Sequence, residues 1–109
     1  MLTVGNNYAM SLAKLQRFKE TRSMLRKLMP VALRVLGEGT TLTLRMRLGY
    51  ACALYRDEGA TLDDLREAVT TLEDVSPTAR RVLGGTHPLT SDIEKYLQKA
   101  RAARDALQK

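Results

Sequence analysis

The feature that most constrains the fold of this 109-residue chain is an internal repeat. Residues 30–43 align with residues 77–90 at an offset of 47, and eight of the 14 aligned positions are identical. A second match, at an offset of 42, pairs residues 8–12 with residues 50–54. Repeats of this length are typical of stacked helix pairs, in which each unit buries its apolar face on the next. The sequence therefore predicts an all-α helical-repeat solenoid.

Apolar residues that recur every three or four positions predict five antiparallel helices in one domain, residues 1–109. We expect two helix pairs and a closing helix. Repeat one spans about residues 3–37, repeat two about residues 41–84, and the closing helix about residues 88–107. The apolar stripe expected in the first helix is Val4, Tyr8, Leu12 and Leu15. The stripes of the second, fourth and fifth helices are expected to end at Val35, Val82 and Leu107.

Helix ends are marked by capping residues. Thr40 and Thr61 are predicted N-caps, because a threonine hydroxyl accepts a hydrogen bond from a free N–H of the first turn. The sequence predicts that Gly37 and Gly84 end the second and fourth helices, since glycine tolerates positive φ.

Proline recurs at one register of the repeat, as Pro30 and Pro77. Proline inside a helix bends it, yet the apolar stripe continues through both positions. A kink is therefore predicted at Pro30. At Pro77 two interpretations remain: a kink, or a fresh start with Ser76 as N-cap that splits the fourth helix in two.

Charge is distributed in two opposite blocks, although the whole chain has a net charge of +6. Residues 14–34 contain seven basic residues and one acidic residue, and residues 57–74 contain seven acidic residues and one basic residue. This pattern predicts that the second and fourth helices pack side by side. Four basic residues are then expected near four acidic ones: Lys19, Arg22, Arg26 and Lys27 near Asp63, Glu67, Glu73 and Asp74.

Residues with catalytic or metal-binding chemistry are sparse. Cys52 is the single cysteine, so an internal disulfide is impossible, and its position beside Ala51 favours a small buried apolar role. His87 precedes Pro88 at a helix start, where capping is expected, because no other histidine completes a metal site. We expect no cofactor, no metal and no enzymatic activity.

Three segments together resemble the tetratricopeptide repeat (TPR) of kinesin light chain type: Arg81-Val-Leu-Gly84, Thr86-His-Pro88 and Asn6-Asn7-Tyr8-Ala9. The resemblance covers nearly the whole chain. It implies a concave groove lined by the first helix of each pair, where an asparagine pair bonds to the backbone of an extended peptide. Asn6 and Asn7 are the matching candidates, and Leu48-Gly49 replaces the pair in the second repeat.

Alternate helices of a solenoid share one side, so the first, third and fifth helices are expected to form this groove. The candidate lining residues are Asn6, Asn7, Arg45, Cys52 and Arg56. Because the charged candidates are both arginines, an acidic peptide is the expected ligand.

The leading functional hypothesis is a non-enzymatic protein-binding module, an adaptor or scaffold, that binds an extended peptide or a helix of a partner protein on its concave face. Two alternatives stay open: a nucleic-acid binder that uses the basic segment Lys14 to Arg34, and a structural unit that self-associates through the uncapped first helix. A protein or peptide partner is expected ahead of nucleic acid, because aromatic stacking platforms and reading-helix motifs are missing. We expect a cytoplasmic protein without a membrane segment, since the chain shows no signal peptide and no apolar run of about 18 residues.

Overall fold

The computed structural model describes residues 2–108, and these form five α-helices without a strand. The bounds are α1 (Leu2–Lys14), α2 (Phe18–Leu36), α3 (Thr41–Arg56), α4 (Leu62–Leu83) and α5 (Pro88–Gln108). The prediction of five helices in an all-α chain is confirmed. Hydrophobic periodicity located these helices because apolar residues recur at three- and four-residue spacing in each of them.

The predicted caps are present. The Thr40 hydroxyl accepts a hydrogen bond from the Thr43 N–H at 3.3 Å, and Thr61 forms a reciprocal capping box with Asp64. Gly37 and Gly84 end their helices with φ of 84° and 92°, values that suit glycine. His87 Nδ1 accepts a hydrogen bond from the Leu89 N–H at 3.0 Å, so the histidine caps α5 as expected.

Both repeated prolines lie inside continuous helices. α2 runs through Pro30 and α4 runs through Pro77, so the interpretation in which Ser76 and Pro77 start a new helix is wrong. The buried stripe explains the continuity. Leu72, Val75 and Ala79 are fully buried on either side of Pro77. This packing keeps the helix continuous although proline lacks the backbone N–H.

α3 is the central helix, because it contacts all four others. It buries side chains around most of its circumference, including Leu44, Met46, Tyr50, Ala51 and Leu54. The chain-neighbour pairs α1–α2, α2–α3, α3–α4 and α4–α5 pack together, and α3 also contacts α1 and α5. The three odd-numbered helices therefore meet along α3.

The predicted stripe of α1 is buried at Leu12 and wrong at its three other positions. Val4, Tyr8 and Leu15 are 71%, 57% and 68% exposed, and the residues buried instead include the small Gly5 and Ala9. A Cβ on Gly5 would lie 2.8 Å from Leu28 Cδ1 of α2. The small residues thus allow a close approach to α2, which the larger apolar residues would prevent. The last members of three other stripes, Val35, Val82 and Leu107, are also exposed, because they stand in the final turns of their helices.

The two charge blocks meet only in part. Arg22 lies 3.3 Å from Asp64, and Arg26 lies 3.7 Å from Glu67. Within the described residues, however, no Cα of α2 lies within 8 Å of a Cα of α4, so the predicted side-by-side packing is wrong. Long side chains reach past α3 instead.

The remaining predicted partners bond elsewhere. Glu73 pairs with Arg101 of α5 at 2.9 Å, and Asp74 pairs with Arg47 of α3 at 3.0 Å. Asp63 pairs with Arg66 within its own helix at 3.7 Å. Neither Lys19 nor Lys27 has a carboxylate oxygen within 4.0 Å in the described part of the chain. The acidic block therefore neutralises only some of the basic one.

Candidate functional site

A groove of about 390 Å³ runs between α1, α3 and α5. All five residues predicted from the sequence lie on its walls. Nine further residues complete the lining: Met10, Ala13, Phe18, Leu48, Gly49, Ala53, Leu89, Asp92 and Tyr96. Because α3 contacts both α1 and α5, side chains from three helices reach one depression. We call it the α1–α3–α5 groove.

The α1 wall contributes the two asparagines. Asn7 is exposed, whereas Asn6 is only 6% exposed. The Asn6 side-chain oxygen Oδ1 is buried and has no hydrogen-bond partner among the described residues. Leaving a buried acceptor unsatisfied costs about 1–3 kcal/mol, so native structures seldom retain one without a reason. The oxygen is closed off from the groove in this conformation, so the Asn6 side chain must rotate before a ligand N–H donor can reach it.

The α3 wall lacks the asparagine pair and is apolar at those positions. Leu48 and Gly49 stand there and line the groove beside Asn6 and Asn7. A Cβ on Gly49 would lie 2.6 Å from Met10 Cε, so glycine leaves space for the methionine methyl group against α3. The asparagine amides therefore occupy only one wall of the groove.

Two arginines supply charge at the groove. Arg45 and Arg56 are exposed, and neither has a carboxylate oxygen within 4.0 Å in residues 2–108. Most other arginines of the described chain are paired, for example Arg80 with Glu94 at 2.6 Å. The Arg56 guanidinium carbon lies 5.5 Å from the centre of the Phe18 ring, a cation–π distance that orients it.

Cys52 lies half-buried in the groove wall. Burial raises the pKa of the Cys52 thiol to about 11, and nearby Arg56 opposes this shift. Burial likewise raises the pKa of the neighbouring Tyr55 hydroxyl. The thiol is therefore protonated at neutral pH and presents an apolar surface, since nucleophilic chemistry needs the thiolate.

α5 supplies three of the groove residues that sequence reasoning missed. Leu89, Asp92 and Tyr96 line the groove, and the Tyr96 ring centre lies 6.3 Å from that of Tyr55. Their spacing of i, i+3 and i+7 was a signal that one face of α5 shares a surface. Asp92 adds a negative charge opposite the arginines, so the groove is not uniformly basic.

Other classes of site have little support in the described residues. No cluster of three or more histidine, cysteine, aspartate or glutamate side chains is placed to hold a metal ion. None of the described helices combines the length and the apolar character that crossing a bilayer requires. Comparison of the chain with protein-family models, with curated proteins and with solved structures finds no match.

Proposed function

We propose that this chain is a non-enzymatic interaction module that holds a short acidic peptide segment of a partner protein in the α1–α3–α5 groove. In this proposal the five helices form a TPR-like solenoid of two helix pairs and a closing helix. The contacts of each helix with the next, together with the contacts of α3 with α1 and α5, support this arrangement.

The observation that carries the proposal is the chemistry collected in one groove. Asn6 and Asn7 contribute side-chain amides to the lining, and Arg45 and Arg56 contribute guanidinium groups that have no ion pair within the described residues. A peptide N–H fits the Asn6 oxygen once that side chain rotates toward the groove. Carboxylates fit the guanidinium groups, which bind them with two parallel hydrogen bonds. Leu48, Leu89 and other apolar side chains of the lining provide surface that water leaves on binding.

The test uses peptides of 12 residues selected from a random display library on the 109-residue protein, with their affinities measured by calorimetry. We expect acidic sequences. Arg45→Glu should weaken binding tenfold or more, because a hydrogen bond to a charged group contributes about 1.5–3 kcal/mol. Arg34→Glu is the matched control: Arg34 is also exposed, also lacks an ion pair in the described residues, and lies outside the groove lining.

Two outcomes would contradict the proposal. Equal losses in Arg45→Glu and Arg34→Glu would mean that net charge alone attracts the peptides. Tight binding of a DNA duplex that weakens steeply between 50 and 200 mM salt, with no selected peptide, would favour the nucleic-acid alternative. Against that alternative, Arg22 and Arg26 of the basic segment already pair with acidic residues of α4.

A further inference from the structure

A second surface lies on the outward side of α1. Val4 and Tyr8 are 71% and 57% exposed there. Tyr8 borders a second depression of about 470 Å³ between α1 and α2. Its lining is Tyr8, Leu12, Lys19, Glu20, Ser23, Met24 and Lys27, and none of these residues belongs to the α1–α3–α5 groove. We call this depression, together with the exposed side of α1 at Val4, the α1–α2 surface.

The equivalent surface of the second repeat is covered. At the offset of 42, Val4 corresponds to Met46 and Tyr8 corresponds to Tyr50. Met46 is fully buried and Tyr50 is 3% exposed. The difference lies in the neighbours, because α3 is flanked by both α2 and α4, whereas α1 has α2 on one side only. α2 packs against α3 on the side that corresponds to the exposed side of α1. No described helix packs on that side of α1.

A polar network shows what that neighbour contributes. The Tyr50 hydroxyl accepts a hydrogen bond from Arg26 Nη2 of α2 at 2.6 Å and donates one to Glu67 of α4. At the offset of 47, Glu67 corresponds to Glu20, which lines the α1–α2 surface together with Tyr8. The first repeat thus contains the same tyrosine and glutamate, as Tyr8 and Glu20.

Within residues 2–108, no arginine takes the place of Arg26 beside Tyr8. In the same residues Glu20 pairs only with Arg17, which directly precedes α2, at 2.7 Å, and both of these side chains are half exposed. Such an exposed pair within one helix contributes little, so it leaves the carboxylate free to accept a stronger donor.

α2 also shows the spacing of the side chains that border such a surface. It presents Arg26, Met29, Pro30 and Leu33 to the depression beside Tyr50, which is the i, i+3, i+4, i+7 spacing of one helix face. We infer that the α1–α2 surface binds an amphipathic helix of a partner protein that presents an arginine to Tyr8 and Glu20 and apolar residues three and seven positions later.

The partner's helix is a better occupant than a second copy of this chain. α1 is the segment that a symmetric dimer would place on this surface, and α1 contains no arginine in residues 2–14. The face of α2 that carries Arg26 already lies beside Tyr50 of the same molecule, and Arg26 bonds to the Tyr50 hydroxyl. Lys19 and Lys27 flank the surface, so acidic residues are expected at the edges of the bound helix.

The experiment uses a peptide with the α2 sequence, residues 18–36, in which Pro30→Ala allows an isolated helix to form. Lys27→Glu and Arg34→Glu in the peptide place acidic residues at the edge of the face that carries Arg26, to match the flanking lysines of the surface. Amide chemical shifts of the 109-residue protein report binding. We expect shifts around Tyr8 and Glu20. The same peptide with Arg26→Met should bind at least tenfold more weakly.

A matched pair of protein variants tests the surface. Val4→Lys should weaken peptide binding at least tenfold, whereas Val35→Lys should change it less than twofold, although the two valines are 71% and 65% exposed. Lack of binding at millimolar peptide overturns the inference, as do shifts around Tyr50, which would indicate exchange with α2. Dimerisation of the protein that Val4→Lys abolishes, with no peptide binding, assigns the surface to a second copy instead.

Discussion

At the residue scale, the polar side chain of Asn6 distinguishes the candidate site from the apolar core. Its side chain is almost completely buried, yet its Oδ1 has no partner in the described residues. Leu48 occupies the equivalent position of the second repeat, at the offset of 42, and makes no such polar demand. An apolar side chain therefore suits the fold at this register, and the proposed function gives the amide a role in binding instead.

The first prediction concerns Asn6→Ala. We expect the free energy of unfolding to stay the same or to rise by about 0.5–1 kcal/mol, because the variant removes an unsatisfied acceptor and alanine has the higher helix propensity. Affinity for the selected acidic peptides should fall at least tenfold. Urea denaturation and calorimetry measure the two quantities.

Asn7→Ala is the control for stability, because Asn7 is exposed in the same helix and its variant reports the gain from helix propensity alone. A loss of more than about 1 kcal/mol in Asn6→Ala alone would identify Asn6 as a structural residue. The groove would then lack the acceptor on which the proposed function depends.

At the element scale, the start of α4 is held by one reciprocal pair. The Asp64 N–H donates to the Thr61 hydroxyl and the Thr61 N–H donates to Asp64 Oδ2, both at 3.1 Å. The hydrogen bond from the Thr61 N–H lowers the pKa of the Asp64 carboxyl, and Arg22 lowers it further. Arg22 of α2 reaches this cap, so an ion pair also links the start of α4 to α2.

The second prediction is a pH-dependent cost for Asp64→Ala. At pH 7 the variant should lose about 1 kcal/mol of unfolding free energy. A carboxyl whose folded pKa is depressed stabilises the protein above its unfolded pKa of about 3.9, and this contribution is lost as the pH falls through the folded value. The difference from the parent protein should therefore shrink between about pH 4 and pH 2.

Asp63→Ala provides the control in urea denaturation at several pH values. Asp63 lies in the same helix turn, but its side chain is 93% exposed and it makes no capping bond. Asp63→Ala therefore reports the effect of removing one negative charge near the positive, N-terminal end of the helix dipole. A similar pH-dependent cost in both variants would mean that the dipole, and not the capping bond, stabilises α4.

At the scale of the whole molecule, stability is expected to decrease outward from α3. α3 contacts all four other helices and contains the fully buried Leu44, Met46 and Leu54. α1 contacts only α2 and α3 and turns Val4 and Tyr8 toward solvent. Elements with few buried contacts open without global unfolding. The two proposed binding surfaces both include residues of α1, the element with the least cover.

The third prediction is a gradient of amide hydrogen exchange. Amides in the middle of α3 should exchange only through global unfolding, and those of α1 should exchange at least tenfold faster. Binding of the α2-sequence peptide should protect α1 more than α5. Equal protection of α1 and α3 in the free protein would show that the chain unfolds as one unit and would remove the basis for this ranking.

The sequence by itself determined the helices and their ends. The apolar periodicity, the Thr40 and Thr61 caps and the terminal glycines act within a few residues of the chain, so local reasoning reaches them. The groove was predictable for a related reason. The repeat implies that alternate helices share a side, and Asn6, Asn7, Arg45, Cys52 and Arg56 do line one depression.

Only the tertiary structure decided which face each helix turns inward and which charges pair. α1 buries Gly5 and Ala9, because the small Gly5 lets the helix approach Leu28 of α2 closely. Val4 and Tyr8 stay exposed on another side of the helix. Glu73 and Asp74 bond to α5 and α3, since long side chains take the nearest guanidinium in space. The exposed face of α1 also follows from packing. Periodicity identifies an apolar stripe, but only the set of neighbouring helices determines whether that stripe is covered.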